Sequence, residues 1–252
     1  MAEFESWRQF WEFSDYVMKK ARHVLDAKNR QFIEAIIETS EKRKVTIPVG
    51  TVLWRAQLGN ITRTEAVTTD DGGDPEFVDI ECPYEPERMK PLADRASEGR
   101  VNPKGIPCLY CSTDRETAMT ETRPWVGSYV TVAEFELRNP LTVVDCSMDL
   151  AGVLYPVFGE PKPPQREKYV WNSINRAFSR PVTRTDDVAE YAPTQVLAEA
   201  FRSAGFGGIK YGSKLGEGMN VAIFDLGAAK PTFCHLYKVK NVKLEYAPVQ
   251  DW

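Results

Sequence analysis

Apolar residues recur at helical spacing near the start of the chain. Between residues 5 and 42 they form two groups: Trp7, Phe10, Trp11, Val17, Ala21, Val24 and Leu25, and then Phe32, Ile33, Ile36 and Ile37. This period is typical of amphipathic helices, and Asp26 is placed to cap the second one. The pattern predicts an N-terminal helical region over residues 1–44, a hairpin packed on a main domain of residues 45–252. The aromatic stripe leaves a second interpretation open, a surface for a partner or for a homo-oligomer.

Beyond residue 44, alternating and continuous apolar runs predict short strands mixed with a few helices. Strands are expected over residues 45–55, 106–111, 129–137, 141–144, 208–211, 220–225 and 235–246, and helices over 113–122 and 194–204. Pro48 and Gly50 interrupt the first strand, which is therefore an edge strand or two short ones. Strands and helices do not alternate strictly. The chain is accordingly predicted to be an α+β protein with a mixed or antiparallel sheet.

Two stretches lack a clear period and are predicted to be loops. Residues 59–98 are rich in Asp, Glu, Gly and Pro, and residues 156–190 are rich in proline and charge, with one short helix expected around 171–178. Structureless stretches of this length in a compact protein are usually functional or disordered. Because residues 59–98 lie between the two candidate site arginines described below, they are predicted to form a loop that covers the substrate, and deletion of residues 68–78 should impair turnover more than stability.

Composition narrows the range of partners. The net charge is −4 and 42% of the residues are hydrophobic, which argues against a general electrostatic grip on nucleic acid or on anionic membranes. No apolar stretch approaches the ~20 residues of a membrane helix, so a cytoplasmic location is expected. Five scattered cysteines favour reduced thiols. Cys108 and Cys111 have metal-ligand spacing, but they lie in an apolar run without a second pair. They are therefore predicted to be buried thiols, and no metal site is expected.

Few side chains suited to metal or nucleophilic catalysis are present. The two histidines, His23 and His235, lie beside no Ser or Cys motif, which argues against a hydrolase triad or a zinc enzyme. The chain has neither a P-loop nor a G-x-G-x-x-G after a strand. What remains is chemistry by Arg, Glu, Ser, Tyr and Asn. Glycosyl transfer from a nucleotide fits this set, because a carboxylate stabilises the cation that forms on the ribose and an arginine binds the phosphates.

Two separated fragments carry residues of this kind. In the first, the polar loop Gly99-Arg100-Val101-Asn102 leads into an apolar strand with Tyr110 and then into a short helix with Glu121 near its end. In the second, Tyr211-Gly212-Ser213 is followed by Asn220. The first fragment places an arginine and a carboxylate on one short unit. The second supplies hydroxyl and amide groups from a distant part of the chain.

These motifs resemble the RES family, which is named for Arg, Glu and Ser. Leu53-Trp54-Arg55 also matches the upstream arginine motif of the family, and the likeness covers about residues 50–227. The chain is most similar to the longer members, which carry an N-terminal helical region. Many RES proteins are toxins of toxin–antitoxin pairs that destroy NAD, and their fold is related to ADP-ribosylating enzymes. The resemblance therefore implies an ADP-ribosyltransferase-like fold, NAD as substrate and a protein antitoxin as partner.

The resemblance also implies roles for individual residues. Arg100 would bind the phosphates of the dinucleotide, with Arg55 helping or anchoring the loop, and Glu121 would face the ribose. Tyr110 would line the nicotinamide side, and Ser213 would hydrogen-bond the nicotinamide ribose or amide. The further candidates for cofactor binding are Asn102, Gln195, Tyr211 and Asn220.

The expected activity is cleavage of the nicotinamide–ribose bond, by an NAD glycohydrolase or phosphorylase that acts as a growth-arresting toxin. Two alternatives remain open at this point. An ADP-ribosyltransferase would leave labelled ADP-ribose on a protein or nucleic acid. A non-catalytic nucleotide-binding module would bind NAD without turning it over.

Overall fold

A computed structural model describes residues 3–67, 75–149, 159–181, 188–243 and 245–246. Its helices are α1 (Gln9–Lys19), α2 (Ala27–Ser40), α3 (Arg115–Glu121), α4 (Pro163–Ser179) and α5 (Ala192–Ser203). Its strands are β1 (Lys44–Ile47), β2 (Val52–Leu58), β3 (Ile61–Val67), β4 (Glu76–Cys82), β5 (Leu109–Ser112), β6 (Tyr129–Leu137), β7 (Leu141–Asp145), β8 (Gly208–Gly212), β9 (Met219–Ile223) and β10 (Ala229–Lys238). Short 3₁₀ turns cover Glu41–Arg43, Pro86–Met89 and Val188–Tyr191.

Eight of the strands form one sheet in the order β1-β7-β8-β9-β5-β2-β6-β10. Neighbouring strands are antiparallel except for β7 and β8, which are parallel. The predicted α+β class with a mixed, mostly antiparallel sheet is thereby confirmed. Pairing is thinnest between β2 and β5, where the described residues share a single register pair, Trp54 with Ser112. The sheet parts at this point, and the candidate site lies there.

Helices α1, α2, α4 and α5 form a layer over one face of the sheet. Their largest buried side chains, Phe13, Phe32, Trp171 and Phe201, share one hydrophobic cluster with Ile209 from β8. Burying a side chain of this size stabilises the fold by roughly 1.5–3 kcal/mol. The alternate residues of the strands face the other way and belong to a second cluster.

The two predicted N-terminal helices are present and contribute to this core. Asp26 caps α2 as predicted, because its Oδ1 accepts the Asn29 N–H at 2.9 Å. Most of the aromatic stripe is buried inside the molecule, whereas Trp11 is 45% exposed. The division of the chain at residue 44 and a partner or homo-oligomer surface on these helices stay predictions.

Helix α4 is longer than the sequence pattern indicates. A loop with one short helix is predicted over residues 156–190, but the structure has a 17-residue helix, Pro163–Ser179. Its two prolines resemble loop residues yet stand in the first turn, where a backbone N–H has no helical partner to lose. Val170 and Trp171 then fall on the buried face. The helix predicted around 171–178 is confirmed, and the loop prediction is wrong over residues 163–170. Residues 156–158 and 182–187 lie outside the described residues.

An exposed hairpin occupies part of the other predicted loop. Strands β3 and β4 pair in register from Ile61 with Cys82 to Val67 with Glu76, and nearly all of their side chains are exposed. Neither strand has a buried face; β3 shows no apolar alternation, and in β4 only the short run Val78, Ile80 and Cys82 alternates with acidic residues. Residues 68–74 lie outside the described residues, and a substrate-covering role for residues 59–98 stays a prediction.

Two strand predictions need adjustment. Residues 45–55 form two short strands, the second of the alternatives, with β1 at one edge of the sheet and β2 inside it. The last strand runs over Ala229–Lys238 rather than over residues 235–246. Its Pro231 interrupts the expected pattern, but β10 is the other edge strand, and proline is tolerated there.

Candidate active site

A cleft of about 210 Å³ opens where β2, β5 and β9 meet helix α3. Its lining residues are Trp54, Arg55, Ala56, Tyr110, Cys111, Ser112, Ala118, Glu121, Thr122, Tyr211 and Asn220. The cleft thus brings together five residues predicted from separate fragments of the chain: Arg55, Tyr110, Glu121, Tyr211 and Asn220.

Glu121 is the last residue of α3 and is held at one oxygen. Its Oε1 accepts a hydrogen bond from Ser213 Oγ at 2.7 Å and another from Asn220 Nδ2 at 2.6 Å. Among the described residues, none donates a hydrogen bond to Oε2. The side chain is exposed in the cleft, so one oxygen is fixed and the other is available to a ligand. A carboxylate oriented in advance in this way can stabilise a developing positive charge without reorganising.

Ser112 sets the orientation of the Asn220 amide. Ser112 Oγ lies 2.8 Å from Asn220 Oδ1, where it donates a hydrogen bond. Because only the oxygen of an amide can accept this bond, the NH₂ group must point toward Glu121. Both Ser112 and Asn220 are buried. The two residues therefore form a rigid support behind the carboxylate.

The turn at residues 213–218, here called the Ser213 turn, brings a hydroxyl to the same carboxylate. Ser213 Oγ accepts the N–H groups of Leu215 and Gly216, each at 3.0 Å. With its lone pairs engaged, the hydroxyl has its proton left to donate, and Glu121 receives it. Ser213 thus acts on Glu121 as a positioning group.

Glycine allows the Ser213 turn to dock on the start of α3. A Cβ at Gly218 would lie 1.6 Å from Asp114 Oδ2, so a larger residue would force the two elements apart. Asp114 also caps α3 by accepting the Thr117 N–H at 2.7 Å. Thr113 and Glu116 have the spacing of a capping box, but Asp114 rather than Thr113 is the cap. The Thr113 hydroxyl instead accepts the Met219 N–H at 3.0 Å, which ties α3 to β9.

Arg55 supplies the positive charge of the cleft. It donates from Nη1 to the Tyr110 carbonyl at 3.0 Å, across the gap between β2 and β5. Its buried Nε has no hydrogen-bond partner among the described residues. Burial lowers the pKa of Arg55, but guanidinium starts from a value so high that it stays charged at neutral pH. A phosphate in the cleft would give this fork-shaped donor the partner that suits it best.

Arg100 does not line this cleft. Its side chain is 9% exposed, donates to the Ala177 carbonyl at 3.3 Å and lies over the Tyr191 ring at 5.1 Å. The charges of Glu121 and Arg100 both act on the Tyr211 phenol. Burial raises the pKa of its phenol, Glu121 raises it further, and Arg100 opposes the rise. Arg100 and Glu121 therefore neighbour the same tyrosine but open onto different concavities, and phosphate binding by Arg100 stays a prediction.

Asn102 and Gln195 shape residues 99–102, here called the Arg100 loop, and neither lines the cleft. Asn102 donates to three nearby backbone carbonyls and accepts the Tyr110 hydroxyl proton at 2.7 Å. Gln195 donates to the carbonyls of Gly99 and Asn102 at 2.9 and 3.1 Å. A Cβ at Gly99 would lie 2.6 Å from the Tyr110 hydroxyl. The loop is thus wrapped tightly around the end of that tyrosine.

Six further lining residues are not among the predicted site residues: Trp54, Ala56, Cys111, Ser112, Ala118 and Thr122. Helical spacing was a usable signal for Ala118, which stands one turn before Glu121 and shares its face of α3. Ser112 carried no local signal. Its role depends on strand pairing with Asn220, which lies far away in the sequence.

The other expectations from the sequence concern the cysteines, metal sites and membrane-spanning helices. Cys108 and Cys111 are buried and not disulfide-bonded, as predicted, and burial raises the pKa of each to about 12. Such thiols are poor nucleophiles at neutral pH. Across the described ranges, no three or more His, Cys, Asp or Glu residues are grouped to hold a metal ion. None of the helices described there combines the length and apolarity needed to cross a membrane.

The family model of the RES domain matches residues 80–238, more than half of the chain. The chain belongs to the RES domain family. The matched region includes Arg100, Glu121 and Ser213 and begins after Arg55. Among solved structures, a chain in the crystal structure of the M. tuberculosis MbcT–MbcA toxin–antitoxin complex is similar at 13% identity and a TM-score of 0.43, with 81% of this chain and 92% of that chain covered. No curated protein matches the chain.

Proposed function

We propose that this RES domain protein is an NAD-consuming enzyme that cleaves the nicotinamide–ribose bond. The observation that carries the proposal is a cleft containing both Arg55 and a Glu121 carboxylate fixed by Ser213 and Asn220. The substrate needs these two opposite charges. Its pyrophosphate is an anion that guanidinium binds well, and its ribose becomes cationic as the bond breaks.

Bond cleavage assigns a role to each group around Glu121. The bond between ribose C1′ and nicotinamide breaks with both electrons moving to the ring nitrogen, which becomes neutral, while the ribose becomes an oxocarbenium ion. The Glu121 carboxylate stabilises that charge. An oxygen of the acceptor then bonds to C1′, and any proton that this oxygen carries passes to the solvent. Because Ser213 and Asn220 already hold the carboxylate, little reorganisation accompanies the change in charge.

Aromatic residues around the cleft suit the leaving group. Trp54, Tyr110 and Tyr211 all line it, and aromatic side chains stack favourably on a planar heterocycle. The Tyr110 hydroxyl is already bonded to Asn102, and burial raises its pKa well above the usual value. We therefore assign Tyr110 to the wall of the cleft rather than to proton transfer.

A role as a growth-arresting toxin, with a protein antitoxin as partner, belongs to the same proposal. It is supported by membership of the RES family, many of whose members are toxins of this kind. Expression of the wild-type chain in a bacterial host should lower cellular NAD and stop growth. Glu121→Gln should do neither at the same expression level. Growth arrest that persists with Glu121→Gln would contradict the proposed cause of toxicity.

Release of nicotinamide from NAD by the purified protein tests the activity directly. Glu121→Gln should lower the rate by ~10²-fold or more, because it removes the negative charge that faces the ribose. Glu116→Gln is a matched control, since Glu116 lies on the same helix but does not line the cleft. Its carboxylate pairs with Arg115, with 2.9 Å between the two atoms. Both variants should unfold thermally close to the wild type. Nicotinamide release that survives in Glu121→Gln would remove Glu121 from its role.

The acceptor is identified by product analysis with and without inorganic phosphate. Free ADP-ribose indicates water, and a phosphorylated sugar indicates phosphate. Label left on protein or nucleic acid from labelled NAD indicates a transferase. Each product requires the same cleavage step at Glu121, so the Glu121→Gln control applies to all three.

A further inference from the structure

A groove of about 550 Å³ lies between α1 and α4. Its volume falls within the range of pockets that hold drug-sized ligands. The side chains that matter here are Phe10 and Trp11 from α1, Arg176 and Arg180 from α4, and Lys214 from the Ser213 turn. A neighbouring concavity shares part of this lining and extends to Arg100. The groove thus continues toward the arginine that the first cleft does not contain.

The groove is positively charged. Arg176, Arg180 and Lys214 contribute three cations, and no carboxylate belongs to the described residues that line it. Glu190 stands close by and pairs with Arg180 at 3.1 Å, with both side chains partly exposed. In a chain with a net charge of −4, three cations along one groove favour an anionic ligand there.

The groove begins beside the catalytic cleft. Lys214 directly follows Ser213, whose hydroxyl holds Glu121, and consecutive Cα atoms are about 3.8 Å apart. Helix α4 is bound to the same place, because Asn175 Oδ1 accepts the Gly212 N–H at 3.0 Å. One ligand can therefore reach from the cleft into the groove along the Ser213 turn.

Trp11 gives the groove an exposed aromatic surface. It is 45% exposed, whereas its neighbours Phe10 and Phe13 on α1 are 4% and 0% exposed. The indole is held edge-on by Trp7, with 5.0 Å between the ring centroids. A half-exposed, fixed indole beside cations is a suitable stacking surface for a nucleotide base.

We propose that this groove binds the adenylate half of the dinucleotide, with the adenine on Trp11 and its phosphate on the groove cations. The inference rests on NAD being the substrate. It assigns a binding function to α1, which lies outside the region matched to the RES family. Arg55 in the cleft then binds the phosphate on the nicotinamide side, and the cations of the groove bind the phosphate on the adenosine side.

Binding of ADP tests this site without catalysis, since ADP carries the adenosine and two phosphates but no nicotinamide riboside. Calorimetric titration should show ADP binding to the wild type, with Kd raised about ten-fold in Trp11→Ala. Trp11→Phe should retain most of the affinity because it keeps an aromatic ring. Lys214→Gln should weaken binding about ten-fold as well. The controls are Phe233→Ala and Lys230→Gln, which alter an exposed aromatic and an exposed lysine on β10.

Substrate preference gives a second readout. Nicotinamide mononucleotide lacks the adenylate half, so the ratio of kcat/KM for NAD to that for the mononucleotide should fall about ten-fold in Trp11→Ala. ADP that does not bind the wild type, or binds the Trp11 and Lys214 variants as well as the controls, overturns the groove assignment even if NAD is cleaved. ADP binding that is lost in these variants, with no nicotinamide released by the wild type, supports the groove and refutes the proposed activity.

Discussion

The Ser213 turn and the Arg100 loop both carry residues of the sequence motifs, but they contribute to the site in different ways. The Ser213 turn delivers a hydroxyl directly to the Glu121 carboxylate. The Arg100 loop instead closes around the Tyr110 hydroxyl through Asn102 and is fixed by Gln195. The Ser213 turn orients the Glu121 carboxylate, and the Arg100 loop supports the cleft wall formed by Tyr110. Residues of a single motif set can therefore act at different distances from the chemistry.

Of the substitutions compared in the two regions, removal of the Ser213 hydroxyl should lower kcat most and change the stability of the fold least. Ser213→Ala deletes one of the two hydrogen bonds to Glu121, so kcat for nicotinamide release should fall by about 10²-fold. The midpoint of thermal unfolding should change little, because the side chain lies in a surface turn. The control is Ser147→Ala, which removes a hydroxyl in the loop after β7. A Ser213→Ala enzyme with wild-type kcat would contradict the role of this turn.

The opposite balance is expected in the Arg100 loop. Asn102 is buried and makes four side-chain hydrogen bonds. Asn102→Ala leaves several buried groups unpaired and should lower the free energy of unfolding by about 2–3 kcal/mol in urea titrations. Thr64→Ala, at an exposed position of the hairpin, should change it by less than about 0.5 kcal/mol. If Asn102→Ala keeps full stability and loses activity, the loop acts on the substrate and the contrast between the two regions is wrong.

A smaller effect is expected from Ser112, which acts on Glu121 through Asn220. Ser112→Ala should lower kcat about ten-fold, because the amide loses the bond that fixes its orientation. Adding this change to Asn220→Ala should cost little more, since the hydroxyl then has no amide to orient. A double-mutant cycle on kcat measures this coupling. Additive effects of the two substitutions would show that Ser112 does not act through Asn220.

The same contrast explains how much of the molecule could be predicted from its sequence. The α+β class and the N-terminal helices follow from apolar periodicity, and motif order placed Glu121, Ser213 and Asn220 in one site. Ser112 and the cap of α3 could not be predicted in this way. Ser112 acts through the pairing of β5 with β9, and the Thr113 hydroxyl is drawn away from the cap by the Met219 N–H of β9, in both cases across about a hundred residues of sequence.

Local rules also failed where one residue type has two uses. Proline begins α4, but the same residue marks loops elsewhere, so the first half of the helix was missed. The hairpin β3–β4 is exposed on both faces, and β3 has no apolar alternation to reveal it. The placement of Arg100 was hidden for a different reason. Its neighbours Ala177, on α4, and Tyr191, in the 3₁₀ turn before α5, lie more than seventy residues away in the sequence, so no local pattern relates them to Arg100.

A crystal structure of Glu121→Gln with NAD tests the central claim most directly, because the substitution should slow turnover enough to keep the substrate intact. The account predicts that C1′ of the nicotinamide ribose lies about 3–3.5 Å from the side chain at position 121, with a phosphate of the dinucleotide on Arg55. A dinucleotide bound with its nicotinamide ribose outside the cleft of Arg55 and Asn220 would contradict it.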